Sequence, residues 1–125
     1  MNDAMQQKIA AAKALLCQVA SDFAPAAFAN SLGAEDMVLT DLILKDAPLI
    51  EVFTLDTGRL PDETYALLDA ITERYGVRLR VLFPRSQAVE AYVGRHGVNG
   101  FCASVESRKE CCRIRKVEPL RRALA

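Results

Sequence analysis

Apolar and polar residues alternate along the chain with two different periods, which predict helices and strands in turn. In the first segment an apolar residue recurs every three or four positions, at Met5, Ile9, Ala12, Leu16 and Val19. This spacing is typical of one buried face of a helix, here ending near Ser21. Further helices are predicted over residues 34–45, 61–75 and 87–95, and strands over residues 26–32, 49–55 and 77–83.

The order of these elements predicts an α/β fold. Strands that alternate with helices of about 10–15 residues form β-α-β units, so we expect a mostly parallel sheet with flanking helices. No linker or internal repeat interrupts the pattern, and residues 1–125 are therefore expected to form a single domain.

The last third of the chain is less regular. Glycines at three positions predict a loop over residues 94–107. Helical spacing returns between about Cys112 and Leu124, with a break or a fresh start expected near Pro119 because proline lacks the N–H of a helix interior.

Composition narrows the class of protein only broadly. The 125 residues are 51% hydrophobic and 26% charged, which is ordinary for a folded α/β chain. No apolar run approaches the roughly 20 residues that span a bilayer, and the first residues do not resemble an export signal. We therefore expect a cytoplasmic protein, with neither a membrane nor nucleic acid as a partner.

Charge is unevenly distributed although the net charge is zero. Residues 106–122 contain seven basic and three acidic side chains, a local excess of four positive charges that the rest of the chain balances. A basic block of this kind predicts an anionic ligand at a localised site. The alternative is a solvated helix face of mixed charge.

Two loops follow predicted strands, where open α/β sheets bind their ligands. The first loop comprises Ser31, Leu32, Gly33, Ala34, Glu35 and Asp36, and the second comprises Leu55, Asp56, Thr57, Gly58 and Arg59. A glycine in each allows close approach of a ligand to the backbone, and the helix that follows presents N–H groups to an anion. We expect Thr57 and Arg59 to contact phosphate or ribose, and Asp56 to accept from a hydroxyl or amine. Neither loop is a Walker A sequence, and each alone is also compatible with a simple turn.

The four cysteines fall into two classes. Cys17 and Cys102 are expected to be small buried apolar residues. Cys111 and Cys112 are adjacent and flanked by arginine and lysine, which favour the thiolate form that binds metal. A four-cysteine cluster would need two further ligands from elsewhere. A chance pair of half-buried cysteines is the alternative.

Four segments in order resemble one protein family. They are SLGAEDMVL from Ser31, FTLDTGRLPDETY from Phe53, VEAYVGRHGVNGF from Val89 and ESRKECCRIRKVEPLRRAL from Glu106. Together they are similar to the sulfonucleotide reductases of assimilatory sulfate reduction, specifically the adenylyl-sulfate type that carries an iron–sulfur cluster.

The resemblance implies a fold, a reaction and roles for residues. The fold would be the adenine nucleotide alpha hydrolase-like sheet of the ATP-pyrophosphatase group, and the reaction the reduction of adenosine 5′-phosphosulfate to sulfite and AMP with thioredoxin as electron donor. Both loops would bind the nucleotide, and Cys111 and Cys112 would supply two of the four ligands of a 4Fe-4S cluster. The family's anion-contacting basic region matches Arg113, Arg115 and Lys116.

Two features of the family are missing from these 125 residues. A Cys-x-x-Cys pair and a nucleophilic cysteine near the C-terminus do not occur. The chain is therefore expected to be a C-terminally truncated front half that holds no catalytic residue and does not turn over alone. 3′-Phosphoadenylyl sulfate remains an alternative substrate, and the formation of a homo-oligomer is left open.

Two other classes of function compete with a reductase. An ATP-pyrophosphatase-type adenylating domain would need a Ser-Gly-Gly-x-Asp-Ser loop, which Ser31–Asp36 does not supply. A non-catalytic module that binds an anion, nucleotide or metal through Cys111, Cys112 and the basic block would need neither reductase chemistry nor its partners.

Overall fold

A three-stranded parallel sheet forms the centre of the computed structural model, which describes residues 2–125. The strands are β1 (Ala27–Ala29), β2 (Glu51–Leu55) and β3 (Arg80–Leu82), in the order β1-β2-β3. Phe28 pairs with Val52 in one ladder, and Thr54 pairs with Val81 in the other. The predicted α/β fold with a mostly parallel sheet and flanking helices is confirmed.

Helices connect and flank these strands. They are α1 (Asp3–Asp22), α2 (Ala34–Asp46), α3 (Asp62–Tyr75), α4 (Ser86–His96), α5 (Val105–Cys112) and α6 (Glu118–Leu124), with a 3-10 turn at Gly100–Cys102 and a π-helical turn at Arg113–Val117. None of the helices in residues 2–125 is long and apolar enough to cross a membrane.

The core lies on both faces of the central strand. Val52, Phe53 and Thr54 are all buried, as expected when helices cover a parallel sheet on both sides. On one face Val52 joins Ile43, Ala47 and Ile50 in a buried cluster, which side chains of α1 and β1 complete from outside. This packing fixes the carboxyl ends of β1 and β2 relative to each other.

All three strands are shorter than the apolar runs that predict them. The β1 run continues to Leu32, but the ladder ends at Ala29 and the chain turns at Leu32, which has a φ of 67°. In the loop after β1, Asn30 is buried and Leu32 is half-buried, whereas Ser31 and Gly33 are exposed.

The predicted loop over residues 94–107 is wrong in part. Helix α4 continues to His96, a 3-10 turn follows, and α5 begins at Val105 with Ser104 as its N-cap. The Ser104 hydroxyl accepts from the Ser107 amide at 3.0 Å, which is the usual signature of a helix start. The glycines obscured this cap in the sequence.

The break or fresh start predicted near Pro119 takes the form of a fresh start, since the π-helical turn ends at Val117 and α6 begins at Glu118 with Pro119 in its first turn. From Val105 to Leu124 the chain is helical throughout, and we call these residues 105–124 the α5–α6 segment. Pro119 has no N–H to donate, and the wider π turn just before it relaxes the backbone where its ring would meet the carbonyl of Arg115.

Two cysteines are more exposed to solvent than the sequence predicts. Cys17 and Cys102 were expected to be buried, and both are exposed. Cys17 lies on α1, which buries none of its residues fully because it covers the sheet from one side only.

Candidate functional site

Asn30 shapes the loop that follows β1. Its side chain is 3% exposed, its Oδ1 accepts from the Leu32 amide at 2.7 Å, and its Nδ2 donates to Thr40 Oγ1 at 2.8 Å. Leu32 adopts a left-handed conformation that costs a residue with a side chain roughly 1–2 kcal/mol. The Asn30 carboxamide therefore holds a strained loop in place. Sequence reasoning missed Asn30, whose only signal was a polar residue at the end of an apolar run.

Asp36 closes the same loop from the first turn of α2. The Ser31 amide donates to Asp36 Oδ2 at 2.7 Å, and the Gly33 amide donates to Ser31 Oγ at 3.3 Å. Hydrogen bonds from the Ser31 side chain, and then from its amide, hold the pKa of Asp36 below its ordinary value. The carboxylate thus stays charged and engaged with the loop.

Asp56 organises the loop that follows β2. Its buried Oδ1 accepts from the Gly58 amide at 2.8 Å and from the Tyr65 hydroxyl at 2.9 Å. The hydrogen bond between Tyr65 and Asp56, together with the negative charge of Asp56, raises the pKa of the Tyr65 hydroxyl. Sequence reasoning assigned no functional role to Tyr65, although its place in the first turns of α3 puts it within reach of the preceding strand end.

Arg115 joins this loop to the α5–α6 segment. Its Nη1 donates to the Thr57 carbonyl at 2.6 Å. Gly58 has a φ of 82°, and a Cβ at this position would lie 3.1 Å from Arg115 Nη1. A side chain at position 58 would therefore be strained by the backbone conformation and would oblige the Arg115 guanidinium to shift by a few tenths of an ångström.

One face of the α5–α6 segment carries the chemically distinctive side chains. They recur at three- and four-residue spacing: Arg108, Cys111, Cys112, Arg115 and Lys116. With Thr57, Arg59, Leu60 and Phe101 they line a cleft of about 280 Å³, which we call the cysteine cleft.

A second cleft of about 330 Å³ lies beside the first. Its lining comes from both loops, from α3 and from the α5–α6 segment: Ala29, Asn30, Ser31, Leu32, Thr54, Leu55, Thr57, Leu60, Thr64, Lys116 and Leu120. We call it the loop cleft. Thr57, Leu60 and Lys116 line both clefts, so the two are neighbours that share three wall residues, and we call the pair the trough.

Comparison with known proteins identifies the family of the chain that forms this trough. The family model of the phosphoadenosine phosphosulfate reductase domain matches residues 25–125. The chain belongs to this family. The match includes both loops, both clefts and the cysteine pair.

Curated relatives are named adenosine 5′-phosphosulfate reductases. The chain is 49% identical over 123 residues to the adenosine 5′-phosphosulfate reductase of Allochromatium vinosum, covering 98% of this chain and 48% of that protein. It is also 49% identical over 118 residues to the enzyme of the same name from Burkholderia cepacia, covering 94% of this chain and 47% of that protein. The chain thus spans about half the length of these relatives.

A solved structure shares the fold. The phosphoadenylyl-sulfate reductase from Candida auris, in a phosphate complex, matches with a TM-score of 0.65 and 23% identity over 94% of this chain and 61% of that chain. At this identity the likeness supports the fold alone.

The reductase domain brings most of the predicted site residues together in the trough. Ser31, Leu32, Leu55 and Thr57 line the loop cleft, whereas Arg59, Cys111, Cys112, Arg115 and Lys116 line the cysteine cleft. The others lie outside both linings: Gly33, Ala34, Glu35, Asp36, Asp56, Gly58 and Arg113. Asp36, Asp56 and Gly58 shape the loops, and Arg113 is exposed. Their roles as substrate ligands stay predictions.

The cysteine pair can supply part of a metal site. Cys111 is buried against Tyr92 and Ile114, and Cys112 is half-buried beside it. Within residues 2–125, no group of three or more histidine, cysteine, aspartate or glutamate side chains is placed to hold a metal ion. Two thiols that line a cleft with four cations are compatible with half of a cluster site, whose other ligands would come from elsewhere.

Proposed function

We propose that this chain is the nucleotide-binding half of an adenosine 5′-phosphosulfate reductase, which reduces adenosine 5′-phosphosulfate to sulfite and AMP. The observation that carries the proposal is the trough, in which the loop cleft and the cysteine cleft share Thr57, Leu60 and Lys116. The names of the relatives from Allochromatium vinosum and Burkholderia cepacia support it.

The loop cleft suits an adenosine. Its volume of about 330 Å³ is within the range of small-molecule sites. Four leucines provide apolar surface for a flat base: Leu32, Leu55, Leu60 and Leu120. The hydroxyls of Ser31, Thr57 and Thr64 face the same space and suit the ribose.

The cysteine cleft suits the phosphosulfate. Arg108, Arg115 and Lys116 line it, and charge-assisted hydrogen bonds to phosphate or sulfate oxygens are stronger than neutral ones. Arg115 donates one N–H to the Thr57 carbonyl, and the other N–H groups of its planar guanidinium can donate to an anion. A nucleotide placed this way directs its sulfate towards the cysteine pair.

Cys111 and Cys112 would hold a 4Fe-4S cluster together with two ligands from outside these residues. When bound, such a cluster supplies a redox-active centre whose potential depends on its hydrogen bonds and exposure. The role of the chain is to hold both thiols in the same cleft lining as Arg108, Arg115 and Lys116. Thioredoxin as electron donor and a cytoplasmic location belong to the same proposal, and both rest on the family resemblance.

Of the two candidate substrates, the loop cleft suits adenosine 5′-phosphosulfate, which has no 3′-phosphate, better than 3′-phosphoadenylyl sulfate. Among the described residues that line the loop cleft, Lys116 is the one cation, and it also faces the cysteine cleft. A 3′-phosphate on the ribose would therefore lose water without gaining a dedicated positive partner, which is unfavourable.

Calorimetric titration of the 125-residue chain with AMP and with adenosine 5′-phosphosulfate tests the proposal. Lys116→Ala should weaken binding roughly ten- to hundredfold, because a hydrogen bond to a charged group contributes about 1.5–3 kcal/mol. Lys109→Ala is the matched control, since Lys109 is an exposed lysine of α5 outside both linings and its loss should leave affinity unchanged. Equal affinities of both variants and the wild type would remove the trough as the nucleotide site.

A further inference from the structure

The side chain of Arg59 is engaged by protein groups across the cysteine cleft. Its Nη1 donates to the Val98 carbonyl at 2.9 Å, and its Nη2 donates to Asn99 Oδ1 at 3.1 Å. Its guanidinium carbon lies 4.7 Å from the centroid of the Phe101 ring. Three contacts with residues about forty positions away make Arg59 a bridge between two segments.

Each end of this bridge belongs to a different part of the site. The Arg59 amide donates to Thr57 Oγ1 at 3.2 Å, and Thr57 lines both clefts. At the other end, Phe101 packs against the buried cluster that contains Cys111. Arg59 thus connects the loop that would hold the nucleotide to the wall behind the cysteine pair.

We propose that Arg59 is a positioning residue that couples occupancy of the loop cleft to the arrangement of Cys111 and Cys112. The inference rests on the proposed function in one respect, that a nucleotide binds in the loop cleft. A nucleotide that orders Thr57 also orders the backbone of Arg59, and the guanidinium transmits this order to Val98, Asn99 and Phe101.

The chemistry of the bridge requires arginine. The planar guanidinium donates to two acceptors in fixed directions while it stacks on a ring, whereas the lysine ammonium is a single point charge. Arg59→Lys should therefore keep the charge and lose the coupling. Arg59→Ala should lose both.

Alkylation of Cys112 by iodoacetamide measures the coupling without any cluster. Rates are followed by peptide mass spectrometry on the 125-residue chain, with and without saturating AMP, and exposed Cys17 serves as the internal reference. In the wild type we expect AMP to slow the reaction of Cys112 by about fivefold or more, the lower end of typical coupling between sites. In Arg59→Lys and Arg59→Ala, the rates with and without saturating AMP should become equal within about twofold.

Arg74→Ala is the matched control, because Arg74 also lies over an aromatic ring, that of Tyr75 at 5.7 Å, outside the trough. It should retain the full effect of AMP. Phe101→Leu removes the stack and leaves the two hydrogen bonds, so it should lose part of the effect. If Arg59→Ala proves unfolded by circular dichroism, Arg59→Lys and Phe101→Leu decide the question.

Full protection of Cys112 by AMP in the Arg59 variants would overturn the inference, because AMP would then shield the thiol directly. AMP that binds the wild type without slowing alkylation would overturn it too, and would leave the proposed function standing. If the wild-type chain does not bind AMP, both the proposed function and the inference about Arg59 are refuted.

Discussion

Replacing Asn30 by alanine should destabilise the fold through the loop that follows β1. The change deletes two short hydrogen bonds of a side chain that is 3% exposed, at 2.7 Å to the Leu32 amide and at 2.8 Å to Thr40 Oγ1. Thr40 is fully buried and its hydroxyl already donates to the Asp36 carbonyl at 2.8 Å, so it would keep its donor bond and lose its acceptor role.

These losses set the magnitude of the effect. Two net hydrogen bonds contribute about 1–3 kcal/mol together. Leu32 would retain its left-handed backbone without the partner that holds it, which adds up to about 1 kcal/mol. We therefore expect Asn30→Ala to lower the free energy of unfolding by about 1–4 kcal/mol, against the roughly 5–15 kcal/mol typical of a domain.

Urea denaturation followed by circular dichroism measures this loss from the shift in midpoint at constant slope. Asn2→Ala is the comparison, because Asn2 accepts from the Met5 amide at 2.8 Å at the exposed start of α1. Loss of such a cap costs about 1 kcal/mol. If Asn30→Ala costs no more than Asn2→Ala, the account of the strained loop is refuted.

Three further predictions follow from the same geometry. Gly58→Ala should lower the free energy of unfolding by about 1–2 kcal/mol more than Gly76→Ala in the same urea assay, since both glycines have positive φ but only the first would bring a Cβ to 3.1 Å from Arg115; equal losses would contradict the close approach. The Tyr75 hydroxyl donates to Asp41 and lowers the pKa of that carboxyl below its ordinary 3.8, so the bond stabilises the fold above this value and the contribution is lost as pH falls below it. Tyr75→Phe should accordingly cost more stability near pH 7 than near pH 3, and a cost independent of pH would disprove the pairing. In calorimetry AMP should bind more tightly than adenosine 3′,5′-bisphosphate, whereas tighter binding of the bisphosphate would favour phosphoadenylyl sulfate as the substrate.

Local patterns predicted the two loops and the basic cysteine pair because these signals are local. The glycines of both loops, the strands before them and the arginines and lysines that flank Cys111 and Cys112 are all readable within a few residues. Since parallel strands place their carboxyl ends at one edge, the predicted order of elements was enough to expect both loops on the same side of the sheet.

The residues that sequence reasoning missed act through contacts between distant segments. Asn30 depends on Thr40 across a turn, Tyr65 on Asp56, and Phe101 on the stacked Arg59. Composition and period carry no trace of such pairs. Because its contacts with Val98, Asn99 and Phe101 were not visible in the sequence, Arg59 was expected to contact substrate. That role remains a prediction.

The break or fresh start predicted near Pro119 is a change of helix type and not an interruption of the helix. The rule that proline interrupts a helix assumes α-helical geometry in the preceding turn. Here a π turn at Arg113–Val117 precedes it, so the helix continues and both Arg115 and Lys116 stay on the cysteine face. π turns of this kind recur at functional sites.

The position of a bound nucleotide tests the central claim most directly. A crystal structure of the chain with adenosine 5′-phosphosulfate should place the adenosine between Ser31 and Thr64 and the sulfate within hydrogen-bond distance of Arg108 or Lys116, beside Cys112. A nucleotide bound elsewhere, for example in the groove between α2 and α3, or one whose sulfate points away from the cysteine cleft, would contradict the account.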